Sequence, residues 1–268
     1  MKKFKIQSAV FDLHGVIYDD SPAVRENIKY INSLANRNID IGFLTNATTS
    51  TPDEIMQRMH GLGLDTEINV AVMTATLATA RYVVEGGHSC CAVLSKNQVL
   101  KNTLESLGIK VYPLEELPSS VEVSLLVLAY NESFNYDLLR DIQQRSRNGM
   151  QIIAAERDKF YSLNSELMPS SEWFIAAIET VVSEPVKTIG KPNPYSFQML
   201  LKEMNTPAEE CIYIGDSLEV DIVCANNVGA IGCLISGGVT DVTGIEDSPI
   251  KPDIIISKLA ELDNYIQI

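Results

Sequence analysis

Short apolar runs alternate with longer segments of helical periodicity along this chain. Ile6–Phe11 and Ile39–Leu44 read as buried strands, and Ala92–Leu94, Val123–Ala129, Gln151–Ala155, Cys211–Ile214, Ile231–Ile235 and Asp253–Ile256 continue the series. Between the first two, Pro22 to Asn36 predicts a helix with Val24, Ile28, Ile31, Leu34 and Ala35 on one face. Thr51-Pro52-Asp53-Glu54 opens another helix that runs to about Leu62, with Thr51 as N-cap and Pro52 at the first helical position. Strands that are apolar throughout, instead of alternating, belong to parallel sheets covered on both faces. The pattern therefore predicts an α/β fold. Two proline-bearing breaks, around Pro113–Pro118 and at Pro185, are the only hints of a domain boundary.

The chain has 268 residues, enough for one large domain or two modest ones, and its 46% hydrophobic content suits a globular protein. A net charge of -14 argues against a nucleic-acid partner, because such binding depends on neutralising phosphates with lysine and arginine. An anionic ligand must then be held by local devices such as a metal ion, a lysine or backbone amides. The apolar run behind Met1-Lys2-Lys3 is interrupted at Gln7-Ser8 and stopped at Asp12, too short for a leader, and no stretch is long enough for a membrane span. Cys90, Cys91, Cys211, Cys224 and Cys233 show no metal-ligand spacing, so the expectation is reduced thiols in a cytoplasmic protein with no membrane partner.

Polar residues at the ends of these strands carry the chemistry, since ligands of parallel sheets gather beyond the C-terminal strand ends. The first strand ends in Asp12, with His14 following; the second ends in Thr45-Asn46; Cys211–Ile214 runs into Gly215-Asp216-Ser217, with Asp221 just beyond. Lys191 sits in the turn Gly190-Lys191-Pro192-Asn193-Pro194. If these strands are neighbours, three carboxylates, a hydroxyl, an amide and one ammonium converge. Clustered carboxylates repel unless a cation sits among them, and an oxygen-only donor set suits Mg²⁺ bridging to phosphate. A carboxylate near such a cation can attack phosphorus and form an aspartyl-phosphate.

Asp12-Leu13-His14-Gly15-Val16, Thr45-Asn46, Gly190-Lys191-Pro192 and Gly215-Asp216-Ser217-Leu218-Glu219-Val220-Asp221 resemble the four signature motifs of the haloacid dehalogenase-like superfamily. The chain is most similar to its class IIA phosphatases. The resemblance implies a Rossmann-like doubly wound parallel-sheet core, 1–78 plus 186–268, with a smaller α/β cap inserted over 79–185. It implies Asp12 as nucleophile, Mg²⁺ bound by Asp12, the main-chain oxygen of His14 and Asp216, and Asp221 supporting the metal through water or from behind. Thr45 and Asn46 would hold the phosphoryl group of a small phosphorylated substrate, and Lys191 would neutralise it and steady Asp12. Association through the cap is common in the class, which makes a homodimer an outcome to test.

His14 is the departure, standing where most phosphatases of the superfamily carry a second aspartate that works as acid and base. Imidazole is chemically able to do both jobs. A bland role, in which the ring only donates a hydrogen bond, leads to the alternative reading of a weakened, ligand-binding or scaffolding protein. Dehalogenation fits less well, because it needs no metal while Asp216 and Asp221 are both present. Elsewhere, His60 reads as a helix-end cation, His88 as a turn residue, Asp19 and Asp20 as solvated acids, and Trp173 as cap packing or interface. Arg157, Asp158 and Tyr161 lie in a segment similar to a substrate-facing loop of the class.

Overall fold

The computed structural model describes residues 3–17, 23–118, 120–163 and 166–267, so Asp19 and Asp20 lie outside the described residues. Two compact units form: Met1–Thr45, Pro52–Met73 and Lys191–Ile268 make the first, and Asn46–Thr51 with Thr74–Gly190 the second. The junctions at 73/74 and 190/191 stand beside the expected 79 and 185, and the segment Asn46–Thr51 joins the second unit although its neighbours on both sides belong to the first.

The first unit is built on a six-stranded sheet. Across the sheet the strands run Ile254–Ile256, Ile231–Ile235, Cys211–Gly215, Ser8–Phe11, Asp40–Thr45 and Val70–Thr74. The pairings of Ser8–Phe11 with both neighbours are parallel, Ala9 lying opposite Ile212 on one side and Ile41 on the other. Strands Ser8–Phe11, Cys211–Gly215 and Ile231–Ile235 are buried at every position, the reason their sequences show no polar alternation. Helix Ala23–Ala35 lays Ile28, Ile31 and Leu34 on this sheet, and helix Pro52–Leu62, which begins at the predicted proline, adds Ile55 and Met59. Phe11 and Phe43 meet edge to face at 6.5 Å between ring centres, a favoured aromatic arrangement.

The second unit repeats the architecture with a five-stranded parallel sheet, ordered Lys187–Thr188, Gln151–Ala154, Leu125–Leu128, Cys90–Leu94, Lys110–Pro113. Phe160–Leu163 and Glu166–Pro169 form a separate antiparallel pair in this unit. Pro113–Pro118 is no boundary: Pro113 closes a strand, Leu114–Glu116 makes a helical turn, and Leu114 and Leu117 are buried in this unit's core. Trp173 packs edge to face on Phe134 and Phe174 while keeping a partly open face. Every cysteine is a free thiol.

Candidate active site

In the first unit the chain leaves strand Ser8–Phe11 toward one side of the sheet and returns at Cys211–Gly215 on the other, so these two neighbours form the point where strand order reverses. A crevice opens beyond the carboxyl ends at such a point. Asp12 is the first residue past one strand, its amide still donating to Ile214 O at 2.8 Å, and Asp216 is the first past the other. Leu218–Ile222 then winds as a π-type turn that returns Asp221 over the strand end, with Asp221 Oδ2 accepting from the Ser217 amide at 3.0 Å. Carboxylate oxygens of Asp12, Asp216 and Asp221 lie within 4.8 Å of one another, and these acids are buried. Among the described residues this is the one such group of His, Cys, Asp and Glu.

Lys191 supplies the balancing cation. Its Nζ donates to Asp12 Oδ1 at 2.8 Å, Asp221 Oδ1 at 2.7 Å and the Tyr213 hydroxyl at 2.9 Å. The Tyr213 hydroxyl in turn donates to Asp221 Oδ1 at 2.9 Å. Burial opposes the lysine charge, but Asp12 and Asp221 outweigh it and the pKa is raised. The Asp12 carboxyl is raised to about 8: burial raises it most, Lys191 pulls against the rise, and Asp221 and Asp216 add to it. Asp216 is raised to about 6, by burial first and Asp221 second, against the Val239 amide. Too little positive charge is present for the acids gathered here.

Asp216 is clamped by a loop that follows the next strand. Its Oδ2 accepts from the Val239 amide at 2.9 Å and its main-chain oxygen from Thr240 at 3.1 Å, while Thr240 Oγ1 accepts from the Leu218 amide at 2.8 Å. Gly238 is required by this closeness, since a Cβ there would fall 2.2 Å from Asp216 Oδ2. Gly15 is required twice over: its φ is +76° and a Cβ would lie 2.0 Å from the same oxygen. Both glycines let main chain pack directly against this carboxylate, so its position is fixed from two sides.

Thr45 is buried at the end of its strand, and the pairing of Phe11 with Phe43 puts it at the same end of the sheet as Asp12. Asn46 belongs to the second unit, where its amide nitrogen donates to Asp158 Oδ1 at 2.8 Å. His14 stays exposed in the turn after Asp12, yet loss of hydration lowers its pKa, and Lys191 and Arg58 push the same way. Arg157 is engaged by Glu179 at 2.7 Å and by Glu172, so its guanidinium braces the unit internally. Tyr161 meets the Tyr130 hydroxyl at 3.1 Å. His60 Nδ1 sits 3.2 Å from Leu64 O at its helix end.

The sequence reading missed Tyr213 and the Gly238–Thr240 clamp. Tyr213 sits in mid-strand among apolar neighbours and looks like a core aromatic. Only the phenol oxygen, which needs a partner when buried, could have drawn attention to it. The donor set itself fits Mg²⁺: oxygen ligands only, clustered, with their burial and mutual repulsion unfavourable without a cation.

Comparison with known proteins gives a consistent picture. Residues 9–110 match the model of the Haloacid dehalogenase-like hydrolase family and residues 188–262 a second, HAD-hydrolase-like model. The ribonucleotide monophosphatase NagD of Escherichia coli is 23% identical over 96% of this chain and 98% of its own. An acid sugar phosphatase of Staphylococcus saprophyticus is 26% identical, covering 98% of both chains. The crystal structure of a 4-nitrophenylphosphatase from Thermotoga maritima superposes with a TM-score of 0.82 at 26% identity, again over 98% of each chain.

Proposed function

The chain belongs to the haloacid dehalogenase-like hydrolases and is a phosphatase, and from that premise we propose that it hydrolyses small phosphomonoesters with Mg²⁺, through an aspartyl-phosphate on Asp12. The observation that carries the reading is the set of three buried carboxylates, held by one buried ammonium, at the strand-order reversal.

Asp12, Asp216 and the turn carrying His14 would hold the metal, with Asp221 behind them. Bound Mg²⁺ supplies positive charge that offsets the carboxylates and the phosphoryl oxygens. Lys191 fixes Asp12 Oδ1, and its charge, with that of the bound cation, would favour the ionised carboxylate against the burial that raises its pKa. An Asp12 oxygen bonds to phosphorus as the ester P–O bond breaks, and the leaving oxygen takes up a proton. Water then attacks phosphorus, the acyl-phosphate P–O bond breaks, inorganic phosphate departs and Asp12 is restored. Thr45 is placed at the strand end to donate a hydrogen bond to a phosphoryl oxygen. His14 offers a ring in place of a carboxyl, so protonation of poor leaving groups is the weakest step. Aryl and acyl phosphates, whose leaving oxygens need little help, are the favoured substrates, and nucleotides and sugar phosphates follow from the names of the relatives.

The test is phosphate release from a panel of aryl, acyl, nucleoside and sugar phosphates, with Mg²⁺ and with EDTA. Release that requires Mg²⁺ is expected. Normal binding of Mg²⁺ by calorimetry with no release from any member would overturn the reading and favour a ligand-binding module.

A further inference from the structure

Tyr213 is the one member of the buried cluster with no part in the reaction sequence above. The side chain is fully buried in strand Cys211–Gly215, its ring 5.0 Å from that of Phe197. Phenylalanine would make that packing equally well. A hydroxyl buried there costs free energy unless paired, and it is paired with two charged groups: it accepts from Lys191 at 2.9 Å and donates to Asp221 at 2.9 Å.

An ammonium has three hydrogens to donate. Those of Lys191 meet acceptors on Asp12, Asp221 and Tyr213 at 2.7 to 2.9 Å, and the side chain is 3% exposed. Asp221 joins the same network, Oδ1 accepting from Lys191 and Tyr213, and Oδ2 from the Ser217 amide. We propose that Tyr213 is a positioning residue: its hydroxyl takes the third ammonium hydrogen and so commits Lys191 to steering Asp12, away from the phosphoryl group. This rests on the phosphatase reading. It revises the part expected of Lys191, whose charge then acts on the nucleophile by contact and on the substrate only through space.

Tyr213→Phe removes the acceptor and leaves one ammonium hydrogen to find another. Loss of a hydrogen bond to a charged group predicts a fall in kcat of about tenfold, with orientation of Asp12 impaired. Inorganic phosphate, now reached by the released hydrogen, should inhibit several-fold more strongly. A hydroxyl that only stabilises the fold would lower the melting temperature on its loss and leave both constants unchanged, which would overturn the proposal. Should the variant not fold, ¹⁵N NMR of the wild-type lysine side chains decides it. The Lys191 ammonium, assigned by its absence from Lys191→Met, should show slowly exchanging hydrogens and no shift on adding inorganic phosphate. Fast exchange or a phosphate-induced shift would sink the idea. Failure of the wild-type chain to hydrolyse any phosphomonoester would count against the phosphatase reading instead, leaving the exchange measurement as an independent result.

Discussion

At the scale of single residues, the site works by crowding. Asp12→Asn keeps an oxygen for Lys191 but removes the proposed nucleophile, and turnover should fall by at least about 10³-fold while the melting temperature stays close to wild type. Gly238→Ala drives a methyl group against Asp216. It should raise the Mg²⁺ concentration for half-maximal binding by about 10- to 100-fold, measured by calorimetry, since groups supporting a metal ligand are worth that much. His14→Asp restores a carboxyl where the superfamily expects one and should raise turnover of alkyl phosphates tenfold or more, by rough estimate for an acid–base group. Unchanged or slower hydrolysis would show that imidazole already does that work.

At the scale of elements, the same physics explains what could be read in advance and what could not. Strands Ser8–Phe11, Cys211–Gly215 and Ile231–Ile235 are buried on both faces, so their apolar runs were legible, and the acids immediately past them stood out. Val70–Thr74 and Lys110–Pro113 were not, because they are edge strands only partly buried, and neither was the pair of Phe160–Leu163 with Glu166–Pro169, which lies outside the five-stranded sheet. Nor could sequence show that Asn46 pairs with Asp158, a contact between residues 112 positions apart. That loop contains Glu156, which is buried, accepts from the Asp158 amide at 2.7 Å and bonds the Ser171 hydroxyl. Burial, then Asp158, raises its carboxyl from 4.5 to about 8. The folded state therefore holds the proton more tightly than the unfolded chain, and stability is lost as pH rises from 4.5 through 8. Glu156→Gln should flatten that decline in thermal melts across the same range. A helix cap gives a simpler check: Asn135 Oδ1 accepts from the Asp137 and Leu138 amides at 3.0 and 3.2 Å, so Asn135→Ala should cost about 1 kcal/mol in denaturant unfolding.

At the scale of the whole molecule, neither end of the chain is complete alone. The central strand, Ser8–Phe11, has Cys211–Gly215 as its neighbour on one side, with about two hundred residues of sequence between them, most of them folded into the second unit. A ribosome therefore releases the pieces in an awkward order. Strand Ser8–Phe11 is made long before its partner strand. The inserted unit, being nearly continuous in sequence, has all its strands available before that partner is synthesised. Synthesis should consequently pass through a stage in which a folded middle trails an unfinished beginning, its apolar strand still unpaired along one edge, and that nascent stage is where a chaperone would find this protein.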